Sequence, residues 1–125
     1  MTKTAHKIKV VQRAKRFLTE DGWCQRALAR NDEGVAISAF NVHAEEYCFA
    51  GALACAAWVS EVRTIPMKQE QIDQAIDTTD EILKDFSMDR EQATIFNDAH
   101  ERTKADVLDK LDEMEADYKR QADNG

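Results

Sequence analysis

The chain reads as a mainly α-helical domain. About four main helices pack around a central buried helix at about residues 44–62, with a small β-hairpin at about 25–37. Three observations predict this. The stretch from Tyr47 to Val59 carries no charge and no amide or hydroxyl side chain except the Tyr47 phenol. It is rich in alanine, which favours helix. It is shorter than the roughly 20 residues that cross a bilayer, so an apolar helix of this length belongs inside a packed domain. Other segments place apolar residues at helical spacing. Four glycines and one proline in 125 residues are too few for the many turns of an all-β fold.

In order along the chain, residues 4–21 form an amphipathic helix. Val10, Val11, Ala14, Phe17 and Leu18 make one stripe, and Lys9, Arg13 and Arg16 the opposite face. Gly22 follows, where a left-handed cap is expected. The hairpin arms lie on either side of Asn31-Asp32-Glu33-Gly34, which is turn chemistry. Ser38 or Asn41 caps the central helix, with Glu45 and Glu46 near its positive end. That helix ends near Val62, and Pro66 opens the next, over about 67–86, with a stripe of Ile72, Ala75, Ile76, Thr79, Ile82, Leu83 and Phe86. Ser87 or Asp89 begins one or two turns carrying Ala93, Ile95 and Phe96, which Asn97-Asp98 interrupts. Thr103 and Asp106 form an approximate capping box for the last helix. Val107, Leu108, Leu111, Met114 or Glu115, and Tyr118 line it. The domain is residues 1–120, with 121–125 a frayed tail.

Net charge is −7, unevenly spread. Residues 1–30 hold eight Lys or Arg against Glu20 and Asp21, whereas 31–125 hold nine basic against 22 acidic residues. A chain acidic overall is a poor nucleic-acid binder. Lys9, Arg13 and Arg16 are expected to face the chain's own acidic helices, or failing that an anionic partner. The basic start is followed by no apolar signal-type run, and Cys24, Cys48 and Cys55 are odd in number without C-x-x-C spacing. The expectation is reduced thiols in a cytoplasm, with no membrane attachment.

Cys48 and Cys55 lie seven residues apart on the central helix, about 10.5 Å along its axis, too far for a disulfide. They read as packing groups. A thiol hydrolase or transferase would use Cys48 or Cys24 with His43 or His100 as base, but no known local signature surrounds them. His43 and Glu46 stand at i and i+3, yet with Cys48, His100 and Glu101 they give no recognised metal spacing. No metal and no cofactor is expected. Asn97-Asp98 reads as a cap or turn lock for the chain entering the last helix. Its functional reading is a polar pocket edge, with Trp23, Gln25, Asn97, Asp98 and Arg102 facing a protein or small ligand. Gly51 in mid-helix costs about 1 kcal/mol relative to Ala, so another backbone or a ring such as Phe96 or Trp23 should approach it closely.

These residues carry a resemblance. Gly22-Trp23-Cys24-Gln25, the hairpin to Gly34, Cys48-x-x-Gly51-Ala52-Leu53, Phe96-Asn97-Asp98 and Thr103-x-x-x-Val107 occur in that order. Over roughly residues 10–115 the chain resembles a family of small bacterial and phage proteins of unknown function, departing from it at Arg26, where the family pattern has glycine. The resemblance implies a shared fold and a cytoplasmic accessory protein, and no mechanism. The functional expectation is a small non-enzymatic module binding a protein or small ligand, with a homo-oligomer allowed. The alternatives are the thiol enzyme and nucleic-acid or other anionic contact through the basic first helix.

Overall fold

Each apolar stripe of the sequence finds a partner in the fold. The computed structural model describes residues 3–61 and 68–124. The elements are α1 (Lys3–Glu20), β1 (Ala29–Arg30), β2 (Ala36–Ile37), β3 (Glu46–Tyr47), α2 (Phe49–Glu61), α3 (Gln69–Asp85), α4 (Arg90–Asp98) and α5 (Lys104–Asn124). The apolar α2 is central, packed by α1, α3 and α4, while α5 lies along α1. Val10, Val11, Ala14 and Leu18 of α1 are buried. So are Ala75, Thr79, Ile82 and Leu83 of α3, and Val107, Leu111, Met114 and Tyr118 of α5. These are the predicted stripes. No helix among the described residues is long and apolar enough to cross a membrane.

The predicted hairpin is present as β1 and β2, pairing Ala29 with Ile37 and Arg30 with Ala36. Its turn is held by the Asn31 side chain, which accepts from the backbone of Glu33 and Val35. Gly34 has φ +79°, a conformation that glycine adopts without Cβ strain.

The central helix starts later than expected. Residues 44–48 are not helical. Glu46 and Tyr47 form a third antiparallel strand on β1, giving the order β2-β1-β3. Residues 45–47 hydrogen-bond to Arg30, Gly22 and Cys24 at 2.9–3.0 Å. This strand pairing over a long sequence separation overrides the favourable placement of two acids at a helix start. Ser38 and Asn41 therefore cap turns, accepting from the backbone of Phe40 and His43 respectively. Cys48 becomes the residue before α2. Its carbonyl accepts from Ala52, and its sulfur accepts from the Gly51 N–H at 3.2 Å. Gly22 has φ +154°, which is not the left-handed helical value expected there.

The segment after α3 is a full helix rather than one or two turns. Asp89 caps α4 in a capping box with Gln92. Ala93 and Asn97 are buried, while Ile95 is 63% exposed. Asn97 and Asp98 end this helix and do not interrupt it. Thr103 and Asp106 exchange side chain-to-backbone bonds at the start of α5, as a capping box does. α5 is helical through Asn124. The expectations for Val62 and Pro66 lie outside the described residues.

Gly51 is explained by the Leu28 carbonyl. A Cβ on Gly51 would sit 2.0 Å from that oxygen, which also accepts from Cys48 N at 3.0 Å. The close neighbour is a backbone, as expected, but it is the backbone of Leu28 rather than Phe96 or Trp23. Gly51→Ala should therefore lower stability by about 1–3 kcal/mol through overpacking, despite alanine's better helix propensity. A urea melt showing equal or higher stability would contradict this contact.

Charge links the helices at the surface. Lys3 and Lys7 meet Glu81 at 3.0 and 3.1 Å, and Lys7 meets Asp85 at 2.7 Å. Tyr118 also donates to Asp85, at 2.8 Å. Lys15 pairs with Asp112, and with Glu115 at 2.8 Å. The hydrogen bond from Lys15, joined by those from Gln12 and Lys119, outweighs burial and holds the Glu115 carboxyl at about 2, against an ordinary 4.5. A carboxyl depressed by folding stabilises fully above its unfolded pKa, and that contribution is lost as pH falls toward 2. Glu115→Gln should flatten the loss of stability between pH 5 and 2, by about 1 kcal/mol for a partly solvated pair. Melts at pH 5, 3.5 and 2 check this; parallel pH profiles for the two proteins would refute it.

Candidate functional site

The C-terminal end of α4 gathers every residue of the Trp23–Arg102 group. Asn97 is 1% exposed. Its Oδ1 accepts from Trp23 Nε1 at 2.7 Å and from Phe49 N, the first residue of α2, at 2.9 Å. Its Nδ2 donates to the Cys24 carbonyl at 3.1 Å and to Asp98 Oδ1 at 2.9 Å. These four bonds use both faces of the amide and fix its orientation, because a flipped group would oppose two N–H donors. Asp98 Oδ1 also accepts from Arg26 N at 2.9 Å.

The last carbonyls of a helix have no partner within it. Here Gln25 Nε2 donates to the carbonyls of Asn97 and Ala99 at 3.0 and 3.3 Å. Arg102 Nε donates to the Phe96 carbonyl at 2.7 Å, with its guanidinium 4.2 Å from the Phe96 ring centroid. A cation at this end also suits the helix dipole. Asn97-Asp98 is thus a lock, but one that fastens residues 23–26 and the start of α2. The chain entering α5 has its own box at Thr103. Arg26, which replaces the pattern glycine, sits at φ +65°. A tight left-handed turn is present there without glycine.

Beside this junction lies a cleft of about 420 Å³ lined by Arg26, Leu28, Cys48, Thr94, Asn97 and Asp98. The polar atoms of Asn97 facing it are engaged internally. Cys48 is 6% exposed. Burial pushes its thiol up, against the opposing effect of amide hydrogen bonds from Gly51 and Ala50. Burial, with the nearby Cys48, pushes Cys24 up to about 12. His43 and His100 are both exposed, and neither imidazole hydrogen-bonds a cysteine among the described residues. No group of three His, Cys, Asp or Glu residues that could hold a metal ion occurs among the described residues.

Over residues 3–117 the sequence matches a family of unknown function, DUF6197. The chain belongs to this family. No curated protein and no solved structure matches the chain.

The second site of this DUF6197 chain lies on α1. Lys9, Arg13 and Arg16 make no ion pair with a carboxylate among the described residues; the lysines of α1 that do are Lys3, Lys7 and Lys15. The expectation that these three face the acidic helices is therefore corrected. The side of α1 turned toward α3 and α5 carries the paired lysines, and Lys9, Arg13 and Arg16 lie off it. With Gln12 they line a shallow basin of about 200 Å³. Arg13 and Arg16 also border a pocket of about 250 Å³ containing Phe17, Phe40, Tyr47 and Trp58. Two ring pairs build its wall: Phe17–Tyr47 at 5.4 Å and Phe40–Trp58 at 6.3 Å between centroids. The sequence reading missed this pocket. Its only early sign was an aromatic, Phe40, set among the turn formers Ser38 and Asn41.

Asn97→Ala should cost about 3 kcal/mol or more, because it strands the buried Phe49 N and Cys24 O, and the partly buried Trp23 Nε1, each worth about 1–3 kcal/mol. Asp98→Ala should cost about 1–2 kcal/mol. Chemical denaturation measures both. A loss under 1 kcal/mol for Asn97→Ala would show that the junction does not hold the fold.

Proposed function

We propose that this DUF6197 chain is a small non-enzymatic binding module whose ligand is anionic and docks on the Lys9–Arg13–Arg16 face of α1. One observation carries the reading. In a chain of net charge −7, three cations of one helix have no carboxylate partner among the described residues, and two of them border a pocket. Unpaired guanidinium groups are strong, directional receptors for carboxylate and phosphate. The residues at the end of α4 support the same reading from the other side, since their hydrogen-bonding atoms serve the fold. A cytoplasmic accessory role in a bacterial or phage setting accords with the resemblance and with three buried cysteines outside any disulfide.

The ligand test is a thermal-shift titration with inorganic pyrophosphate at constant ionic strength. Binding to the native state raises Tm progressively with ligand concentration, the stabilisation reaching about 2.7 kcal/mol at 100 times Kd. The shift should vanish in the double variant Arg13→Gln/Arg16→Gln. An absent shift, or one that the double variant retains, contradicts the proposal.

A second reading, the thiol enzyme, draws on Cys48 standing at a helix N-terminus, where a thiolate is favoured. Burial opposes it. Iodoacetamide at pH 7 should label Cys48 slowly in the folded protein and quickly after denaturation. Fast labelling of the folded protein, suppressed by His43→Ala or His100→Ala, would favour the enzyme.

A further inference from the structure

The basic basin and the aromatic pocket adjoin, since Arg13 and Arg16 line both. The basin is polar and open. The pocket leads inward to Tyr47 and Trp58, which are 5% and 4% exposed, while Phe17 and Phe40 are half-buried along its sides. Charge at the mouth and rings in the interior select for a ligand with the same polarity: an anionic head and an apolar, flat body. At about 250 Å³ the pocket has room for a body of one or two rings.

Resting on the anion-binding reading above, we infer that the ligand is a small amphipathic anion, an aromatic body of one or two rings bearing a carboxylate or phosphate. The body lies against the Phe17–Tyr47 and Phe40–Trp58 ring pairs, and the head is held by Arg13 and Arg16. Arg13 and Arg16 are i and i+3 on α1, so their like charges repel across one turn. An anion between them relieves that repulsion, which a neutral ligand does not. A nucleic-acid strand fits less well. Lys9, Arg13 and Arg16 span only two turns of one helix, and residues 31–125 are strongly acidic.

The chain has two tryptophans. Trp58 lines the pocket, and Trp23 is bonded to Asn97 elsewhere. Their indole N–H signals in a nitrogen–proton correlation spectrum therefore report the site and an internal reference. The probes are 1-naphthoate, 1-naphthyl phosphate, neutral 1-naphthamide, inorganic phosphate and a single-stranded oligonucleotide. One or both naphthyl anions should shift the Trp58 signal and leave Trp23 in place. They should bind at least tenfold more tightly than the amide, and Arg13→Gln/Arg16→Gln should erase that advantage. The tighter of the two anions identifies the head group. Equal binding of the amide overturns the inference. Inorganic phosphate binding as tightly as naphthyl phosphate overturns the aromatic body while leaving the anion site standing. Tighter binding of the oligonucleotide assigns the face to a polyanion. No shift at Trp58 with any naphthyl probe refutes the inference, and if inorganic phosphate also fails to bind, the anion reading falls with it.

Discussion

The side-chain amide of Asn97 holds together parts of the chain that are far apart in sequence. It joins the end of α4 to the Trp23 indole, the Cys24 carbonyl and the first amide of α2. Each of those groups would otherwise be a polar atom with little access to water, and a buried orphan costs far more than a made bond contributes. The rest of the site-bearing architecture depends on this. The loop at residues 23–26 feeds β1, and β1 carries both β2 and β3. The chain leaving β3 enters α2, whose start is fastened to the same amide. Without this amide at the end of α4, both the sheet and the central helix would lose an anchor.

How legible this was depends on range. Local signals survived: the apolar stripes of α1, α3 and α5, the Asn31–Gly34 turn and the Thr103 box are all decided by residues within a few positions. What the sequence concealed required partners far along the chain. Glu46 and Tyr47 look like a helix start until β1 is there to pair with them. Cys48 looks like a mid-helix packing group until that pairing moves the start of α2 onto it. The glycine at 51 was legible as a close approach, because its cost needs a reason, but nothing local identified Leu28 as the neighbour. The residues Trp23, Gln25, Asn97, Asp98 and Arg102 were grouped correctly in space. Asn97-Asp98 is legible as a lock, but the segments it fastens, residues 23–26 and the start of α2, are not, since they lie far away along the chain. The aromatic pocket was hidden for the same reason. Phe17, Phe40, Tyr47 and Trp58 come from a helix, a turn, a strand and a second helix.

The two faces of α1 show how charge of one sign serves different ends. Lys3, Lys7 and Lys15 bind the helix to α3 and α5. They are point charges on flexible stems and suit loosely solvated surface pairs. The two arginines bordering the aromatic pocket are rigid forks that bind planar anions in a fixed geometry. Apart from Lys9, which lines the basin, the residue types divide in the same way as the surfaces.

The seam between α1 and α5 has a consequence for how the molecule is made. Lys15 and Glu115 are 100 positions apart, and Gln12 and Glu115 are 103 apart. During synthesis α1 leaves the ribosome long before the helix that covers it. The part of the α1 surface that α5 covers is therefore exposed to solvent, chaperones and other nascent chains until most of the domain has emerged. Assembly must wait for distant contacts, which slows it and ties it to translation rate. For a helix with an apolar stripe, that interval is when mispairing is most costly. The dense positive charge along α1 keeps identical helices on neighbouring chains apart until α5 arrives.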